Sequence, residues 1–161
     1  MNAIFEEAEK LLKAAGFTVQ SKDLNRPWGG FFVIDEQQAE AFVDRYFATL
    51  PKEDVLGGRK VSPKILLVAP NKRLSWQYHF RRSEVWRIVE GPVGIVRSET
   101  DEETPIQAYN NGDTIILGKG ERHRLVGLEG WGIIAEIWQH TEPDNPSDES
   151  DIVRLQDDFG R

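Results

Sequence analysis

The sequence predicts a mainly β domain, an antiparallel sandwich or small barrel, preceded by two helices. Three observations predict it. From about Ser62 onward, short apolar runs rich in β-branched and aromatic residues alternate with turn residues. Two earlier segments space their apolar residues as helices do. At 161 residues the chain has the size of one domain with a single core.

The first helix is expected over residues 3–15. Ile4, Phe5, Ala8, Leu11, Leu12 and Ala15 recur at helical spacing, acids precede lysines, and Gly16 stops the run. A second helix is expected over about 36–50, where Ala39, Phe42, Val43, Tyr46, Phe47 and Leu50 share a face, Asp35 caps and Pro51 ends it. Seven β runs then follow in "KILLVAP", "LSWQYHF", "EVWRIVEG", "VGIVRSE", "DTIILGKG", "HRLVG" and "WGIIAEIWQ". The polar, proline-containing "HTEPDNPSDESD" reads as an exposed connector to a short final segment.

Composition excludes several classes of function. No apolar run approaches the length of a membrane span, and the N-terminus carries charges where a secretory signal would be apolar, so no membrane partner and a cytoplasmic location are expected. The net charge is −7, and residues 142–161 hold seven acids against Arg154 and Arg161. The rest of the chain is thus nearly neutral and lacks the basic stripe that binds nucleic acid. With no cysteine, any metal must be held by imidazole, carboxylate, amide or water.

The chemistry concentrates in "LSWQYHFRRSEVWRIVEG", residues 74–91. Alternation puts Ser75, Gln77, His79 and Arg81 on one face of a strand, so Gln77 and His79 can aim at one ion. A strand with a polar outer face explains the same pattern. Glu84 shares parity with Trp86 and Ile88, a face expected to be buried, where a carboxylate needs a cation or an ion pair. Arg82 could be that partner. His123 follows a turn containing Gly118 and Gly120 and completes a set of two imidazoles, a carboxylate and an amide. Such a set suits a divalent ion, zinc first, with Fe, Mn, Co or Ni also possible.

With these residues assembled, the sequence resembles the cupins, through Gln77, His79, Glu84 and Gly91 and then Gly112, Gly118, Gly120 and His123. More narrowly it is similar to the type II phosphomannose isomerases, the C-terminal cupin of mannose-1-phosphate guanylyltransferase/phosphomannose isomerases. The pattern of that family is matched by "RPWG" at 26–29, the stretch at 74–91, "GERHR" at 120–124 and "DIVRLQDDFGR" at 151–161. The resemblance implies a cupin double-stranded β-helix, or jelly-roll barrel, forming one domain over 1–161. Residues 1–25 would be helix and lead-in, 26–140 the barrel with a helical insertion near 36–50, and 141–161 an acidic connector and C-terminal segment. Phe80 and Arg81 stand where relatives carry histidines, and Gly118 stands for the usual proline. No GxGxRxxP transferase signature is present, so guanylyltransferase activity is not expected.

The resemblance implies metal-dependent aldose–ketose isomerisation of a sugar phosphate, mannose 6-phosphate to fructose 6-phosphate being the leading pair, in a chain that could pair as a homodimer. Arginine suits phosphate oxygens, which puts forward Arg82, Arg124 and Arg81. A ligand at 123 turns Arg124 to the opposite strand face unless the turn twists it. For the proton transfer, Glu136 lies in the otherwise apolar "GIIAEIWQH", and Lys64 matches a family lysine. His140, beside the polar connector, is expected at the surface. A sugar-binding or regulatory cupin without catalysis, or a metal-dependent cupin of other chemistry, competes with this reading.

Overall fold

The computed structural model describes residues 2–161, and it opens with helix α1 (Ala3–Ala14). Asn2 caps it by accepting from the Ile4 amide at 3.1 Å. Phe5, Ala8 and Leu12 are buried while Leu11 faces solvent, so the apolar stripe is narrower than the sequence suggested. Two strands follow that alternation alone did not reveal, β1 (Val19–Arg26) and β2 (Gly29–Ile34). The "RPWG" stretch is the turn between them, with Arg26 opposite Gly29. Gly29 has φ of +147°, and a Cβ there would stand 2.0 Å from the Leu67 carbonyl oxygen, so this position requires glycine.

The expected single helix over 36–50 is instead three pieces. A 3-10 turn at Glu36–Gln38 is capped by Asp35, α2 covers Ala39–Tyr46, and α3 covers Lys52–Leu56. Pro51 does not merely end a helix. It is the cap that opens α3, as proline's fixed φ suits helix entry.

The seven β runs all form strands: β3 (Val61–Val68), β4 (Trp76–Tyr78), β5 (Arg82–Glu90), β6 (Val93–Ser98), β8 (Thr114–Leu117), β9 (Arg122–Gly127) and β10 (Gly132–His140). Short strands β7 (Gln107–Tyr109) and β11 (Val153–Gln156) complete the set. They build two antiparallel sheets, ordered β1-β2-β3-β10-β5-β8 and β11-β4-β9-β6-β7. This is the double-stranded β-helix that was expected.

Alternation along β3, β10 and β5 divides the six-stranded sheet into two faces with different duties. Ile65, Leu67, Val85, Ala135 and Ile137 face outward and join Phe5, Phe42, Val43, Phe47 and Val55 from the helices. Leu66, Ile88 and Ile134 face inward and meet Val93, Ile95 and Leu125 of the other sheet. The helices therefore cover the back of the sheet, and the space between the sheets is left for chemistry at one end. Phe42 is fully buried in that helical layer, against the rings of Phe17, Tyr46 and Phe47. We expect Phe42→Ala to cost about 3–5 kcal/mol in a denaturant titration. A loss below about 1 kcal/mol would show that the helices merely decorate the sheet.

Candidate metal centre and cleft

Register explains how residues far apart in sequence meet. In the five-stranded sheet Gln77 lies opposite His123 on one side and Arg154 on the other. In the six-stranded sheet Trp138 lies opposite Glu84, and Glu136 stands between Lys64 and Trp86. Cross-strand partners point the same way. These two rows face each other across one end of the barrel, and Gln77, Glu84, Glu136, Lys64 and Arg154 line the cleft between them.

At the cleft floor His79, Glu84 and His123 offer ligand atoms that all lie within 4.8 Å of one another, and all three residues are buried. The histidine tautomers are fixed by carbonyl groups, which can only accept. His79 Nδ1 donates to the Asp151 carbonyl at 2.7 Å and His123 Nδ1 donates to the Glu121 carbonyl at 3.0 Å. Each imidazole thereby turns its Nε2 lone pair inward, that of His79 toward the Arg82 guanidinium at 3.2 Å and that of His123 toward no donor. His79 Nε2 stands 3.2 Å from one Glu84 oxygen and His123 Nε2 3.7 Å from the other. His123 Nε2 is buried and has no hydrogen-bond partner.

Burial pushes His79 down to about 4, against the upward pull of the Glu84 charge, so the ring is neutral at pH 7. Three acceptors thus converge, and although Arg82 donates to Glu84 and to His79 from one edge, His123 Nε2 is left facing the carboxylate with no donor, a place that suits a cation. Two imidazole nitrogens and a carboxylate, with their outer nitrogens already anchored, are a donor set that fits a divalent metal. Gln77 sits at the rim of this set. Its Nε2 is 3.4 Å from His79 Nε2, and its Oε1 accepts from the Ser75 hydroxyl at 2.6 Å. A half-turn of the amide exchanges the two atoms and aims the oxygen at the centre, with Ser75 able to accept in place of donating.

Arg82 occupies the edge of the same site. Its Nε donates to Glu84 at 2.8 Å and its Nη2 lies 3.2 Å from His79 Nε2, while Nη1 reaches Ser147 at 2.9 Å. Burial opposes ionisation of Glu84, and the Arg82 guanidinium beside it outweighs that cost, holding this carboxyl below the ordinary range. Glu136 goes the other way. Burial first, and then the nearby Glu84 charge, raise it well above an ordinary carboxyl. Its two oxygens accept from the indoles of Trp86 at 2.8 Å and Trp138 at 2.9 Å. Lys64 Nζ pairs with Glu149 at 2.7 Å and lies 3.7 Å from the Trp138 ring centre, with Arg82 3.6 Å from the same centre. Two cations this close to one centroid must lie on opposite faces of the indole.

Two of the arginines put forward for phosphate lie elsewhere. Arg124 is fully buried on the far face of β9, as strand parity warned, where it bonds the Leu74 carbonyl, Glu103 and Gln156. Arg81 misses the cleft because β4 ends at Tyr78 and the chain turns through 79–81, so parity no longer governs it. Its guanidinium faces Asp148 at 3.6 Å and the Pro146 carbonyl.

His140 is buried, not at the surface. Its Nδ1 accepts from the Ser147 amide at 2.9 Å, so the neutral ring carries its proton on Nε2, which meets Ser62 Oγ at 2.8 Å while Ser62 donates to Glu36 at 2.7 Å. That direction of donation leaves Ser62 without a base. The arrangement fastens the connector to the barrel.

The expected exposed connector is itself part of the site. Asp151 is buried, and its carboxylate accepts from the amides of Phe80 and Arg81 and from the Ser147 hydroxyl, while its carbonyl orients His79. The signal for Asp151, and for the cleft-lining Arg26, Arg154 and Arg161, was present in "RPWG" and "DIVRLQDDFGR", the two motifs from which no site residue was drawn.

Comparison with known proteins agrees with this geometry. The chain is 26% and 25% identical over 158 residues to "Xanthan biosynthesis protein XanB" from two strains of Xanthomonas campestris pv. campestris. The match covers 97% of this chain and 28% of those proteins, so the chain spans under a third of their length. In fold it is similar to a recombinant oxalate oxidase in complex with glycolate (TM-score 0.54, 16% identity, 84% of this chain and 60% of that one). It is similar also to vicilin from Corylus avellana (TM-score 0.54, 17% identity, 85% of this chain and 33% of that one). At such identities these two speak for the cupin barrel alone. Residues 52–157 match the family described as "Mannose-6-phosphate isomerase C-terminal", and the chain, a cupin by its fold, belongs to that family.

Proposed function

We propose that the chain is a metal-dependent aldose–ketose isomerase of a sugar phosphate, interconverting mannose 6-phosphate and fructose 6-phosphate. The observation that carries this reading is the convergence of buried acceptor atoms from His79, Glu84 and His123, the last without a partner, beside a carboxyl, Glu136, whose pKa burial has raised. Membership of a family described as "Mannose-6-phosphate isomerase C-terminal" supports sugar-phosphate chemistry. His79, Glu84 and His123, with the Gln77 amide oxygen, would hold the ion. A bound divalent ion supplies positive charge against the substrate oxygen that gains charge as a proton leaves the neighbouring carbon.

The proton itself is the work of this chain's residues. Glu136 lines the cleft and takes the proton from C2, then returns it to C1, so no net charge leaves the site. A carboxyl raised by burial exchanges protons nearer neutrality than an ordinary one does. The indoles of Trp86 and Trp138 fix its two oxygens, and the charge of Lys64, its cross-strand neighbour, limits how far the pKa rises. Arg82 keeps Glu84 ionised and therefore able to bind a cation.

Three results are expected. Chelation should abolish isomerisation of mannose 6-phosphate and added divalent ion restore it, while His123→Ala should lower bound metal, read by elemental analysis, by about tenfold or more. Stoichiometric metal with no isomerisation of any sugar phosphate would reject the proposal in favour of a binding role. Glu136→Gln should lower kcat by about a hundredfold or more with metal content kept, because it removes the proton carrier alone. A rate within about threefold of the parent would take Glu136 out of the reaction.

The third concerns pH. The unfolded chain protonates histidine near 6.5, whereas folded His79 does so only near 4. The folded state therefore binds its proton later, and its stability is complete above about pH 6.5 and lost as the pH falls through about 4. The difference amounts to about 3 kcal/mol at most. Metal-free protein should show this loss in denaturant midpoints, and His79→Gln should show a shallower one; equal slopes would mean that His79 is not held neutral.

A further inference from the structure

The basic side chains that line the cleft are not equivalent. Arg82 is bound to Glu84 and Lys64 to Glu149. Arg161 holds Asp157 at 2.8 Å. Arg26 Nε lies 3.1 Å from Asp23, although off the line that a hydrogen bond needs. Arg154 lines the same cleft and has no acidic or hydrogen-bonding side-chain partner among the described residues.

Its position is set by register, since Arg154 on β11 is the Cα partner of Gln77, and a cross-strand pair projects to one face. Gln77 is in turn the partner of His123. One row across the sheet thus runs from the candidate metal ligands to an unneutralised guanidinium at the solvent edge. Like charges gather there. Partial burial, and then the charges of Arg161 and Arg26, press on Arg154 and outweigh the pull of Asp157 and Glu149. An arginine does not escape such crowding by losing its proton. What relieves it is an anion, and a planar guanidinium pairs with tetrahedral oxyanions through two parallel hydrogen bonds.

We infer that Arg154, assisted by Arg26 and Arg161, forms the subsite that seats the phosphate group of the substrate, one strand away from the metal ligands. The inference rests on the proposed isomerase reading for the identity of the substrate and on geometry alone for the anion. A sugar whose reacting carbons lie at His79, Glu84 and His123 extends along the row and delivers its terminal phosphate to the cleft edge. Glu149 and Asp157 remain with Lys64 and Arg161, so the arriving dianion meets a surplus positive charge and not a neutral pair. Arg154 is exposed and bonds to nothing that holds the fold, so its removal leaves the barrel intact.

The experiment uses the metal-loaded protein and its Arg154→Ala and Arg154→Lys variants, with inorganic phosphate binding read by calorimetry and mannose 6-phosphate kinetics measured in parallel. Arg154→Ala should weaken phosphate binding and raise KM about tenfold or more, as expected for loss of one charge-assisted pair, with metal content unchanged. Arg154→Lys should restore only part, since it keeps the charge and loses the fork. If phosphate binds through Arg154 but no sugar phosphate is isomerised, the subsite stands and the isomerase reading falls. If isomerisation persists and neither KM nor phosphate affinity changes in Arg154→Ala, the subsite is overturned and the isomerase reading survives.

Discussion

His79, Glu84 and His123 bring acceptor atoms within 4.8 Å of one another at buried positions, and lone pairs so arranged repel unless positive charge stands among them, which Arg82 supplies to Glu84 and His79 but not to His123. Much of the surrounding structure serves to hold that arrangement. Carbonyl groups of Asp151 and Glu121 take the outer imidazole protons, which denies the rings the rotation or tautomer change that would relieve the crowding. Arg82 stabilises the carboxylate from one edge without capturing His123, whose Nε2 stays unpaired. A site so built is held ready for a cation, because the reorganisation has been completed in folding.

That readiness depends on the segment after the barrel. Asp151 gathers two amides, a hydroxyl and, through its carbonyl, the His79 ring, and His140 ties the same segment to β3 by way of Ser62. Three residues beyond Asp151 the chain pairs with β4 and places Arg154 next to Gln77. The acidic connector is therefore a strap whose ends set both the inner ligand and the outer cation. Its excess negative charge lies mostly in side chains already engaged, such as Asp151 with backbone amides and Glu149 with Lys64.

Much of this was legible in the sequence, for reasons that also explain what was not. The buried position of Glu84 follows from strand alternation, a local rule, and the same rule brought Gln77 and His79 together in the sequence, although His79 lies just past the end of β4 and is aimed by the Asp151 carbonyl. Strand parity likewise placed Arg124 on the wrong face for the cleft, and its burial against Glu103 agrees. Arg81 escaped the same rule because the strand stops at Tyr78, a fact fixed by Asp151 from seventy residues away in sequence, not by the local pattern. β1 was hidden since none of its residues is buried and they alternate poorly. His140 sat beside polar residues in sequence and was expected outside, yet register with β5 carries the end of β10 under the connector. Residues whose environment is made by pairing between distant strands leave little local trace.

The pair Phe80 and Arg81, where this chain departs from the pattern of its family, can be judged from the same geometry. Phe80 is 57% exposed and packs edge-on to Tyr78, and Arg81 turns to the connector. Neither lines the cleft, whereas Gln77, Arg82 and Glu84 on both sides of them do. Their backbone amides are nonetheless held by Asp151, so the turn keeps its shape whatever side chains it carries. The departure thus changes the outside of the turn and spares the donor set, because the contacts that aim His79 run through main-chain atoms. Side-chain identity at 80 and 81 is free to vary in a way that Asp151, which supplies those contacts, is not.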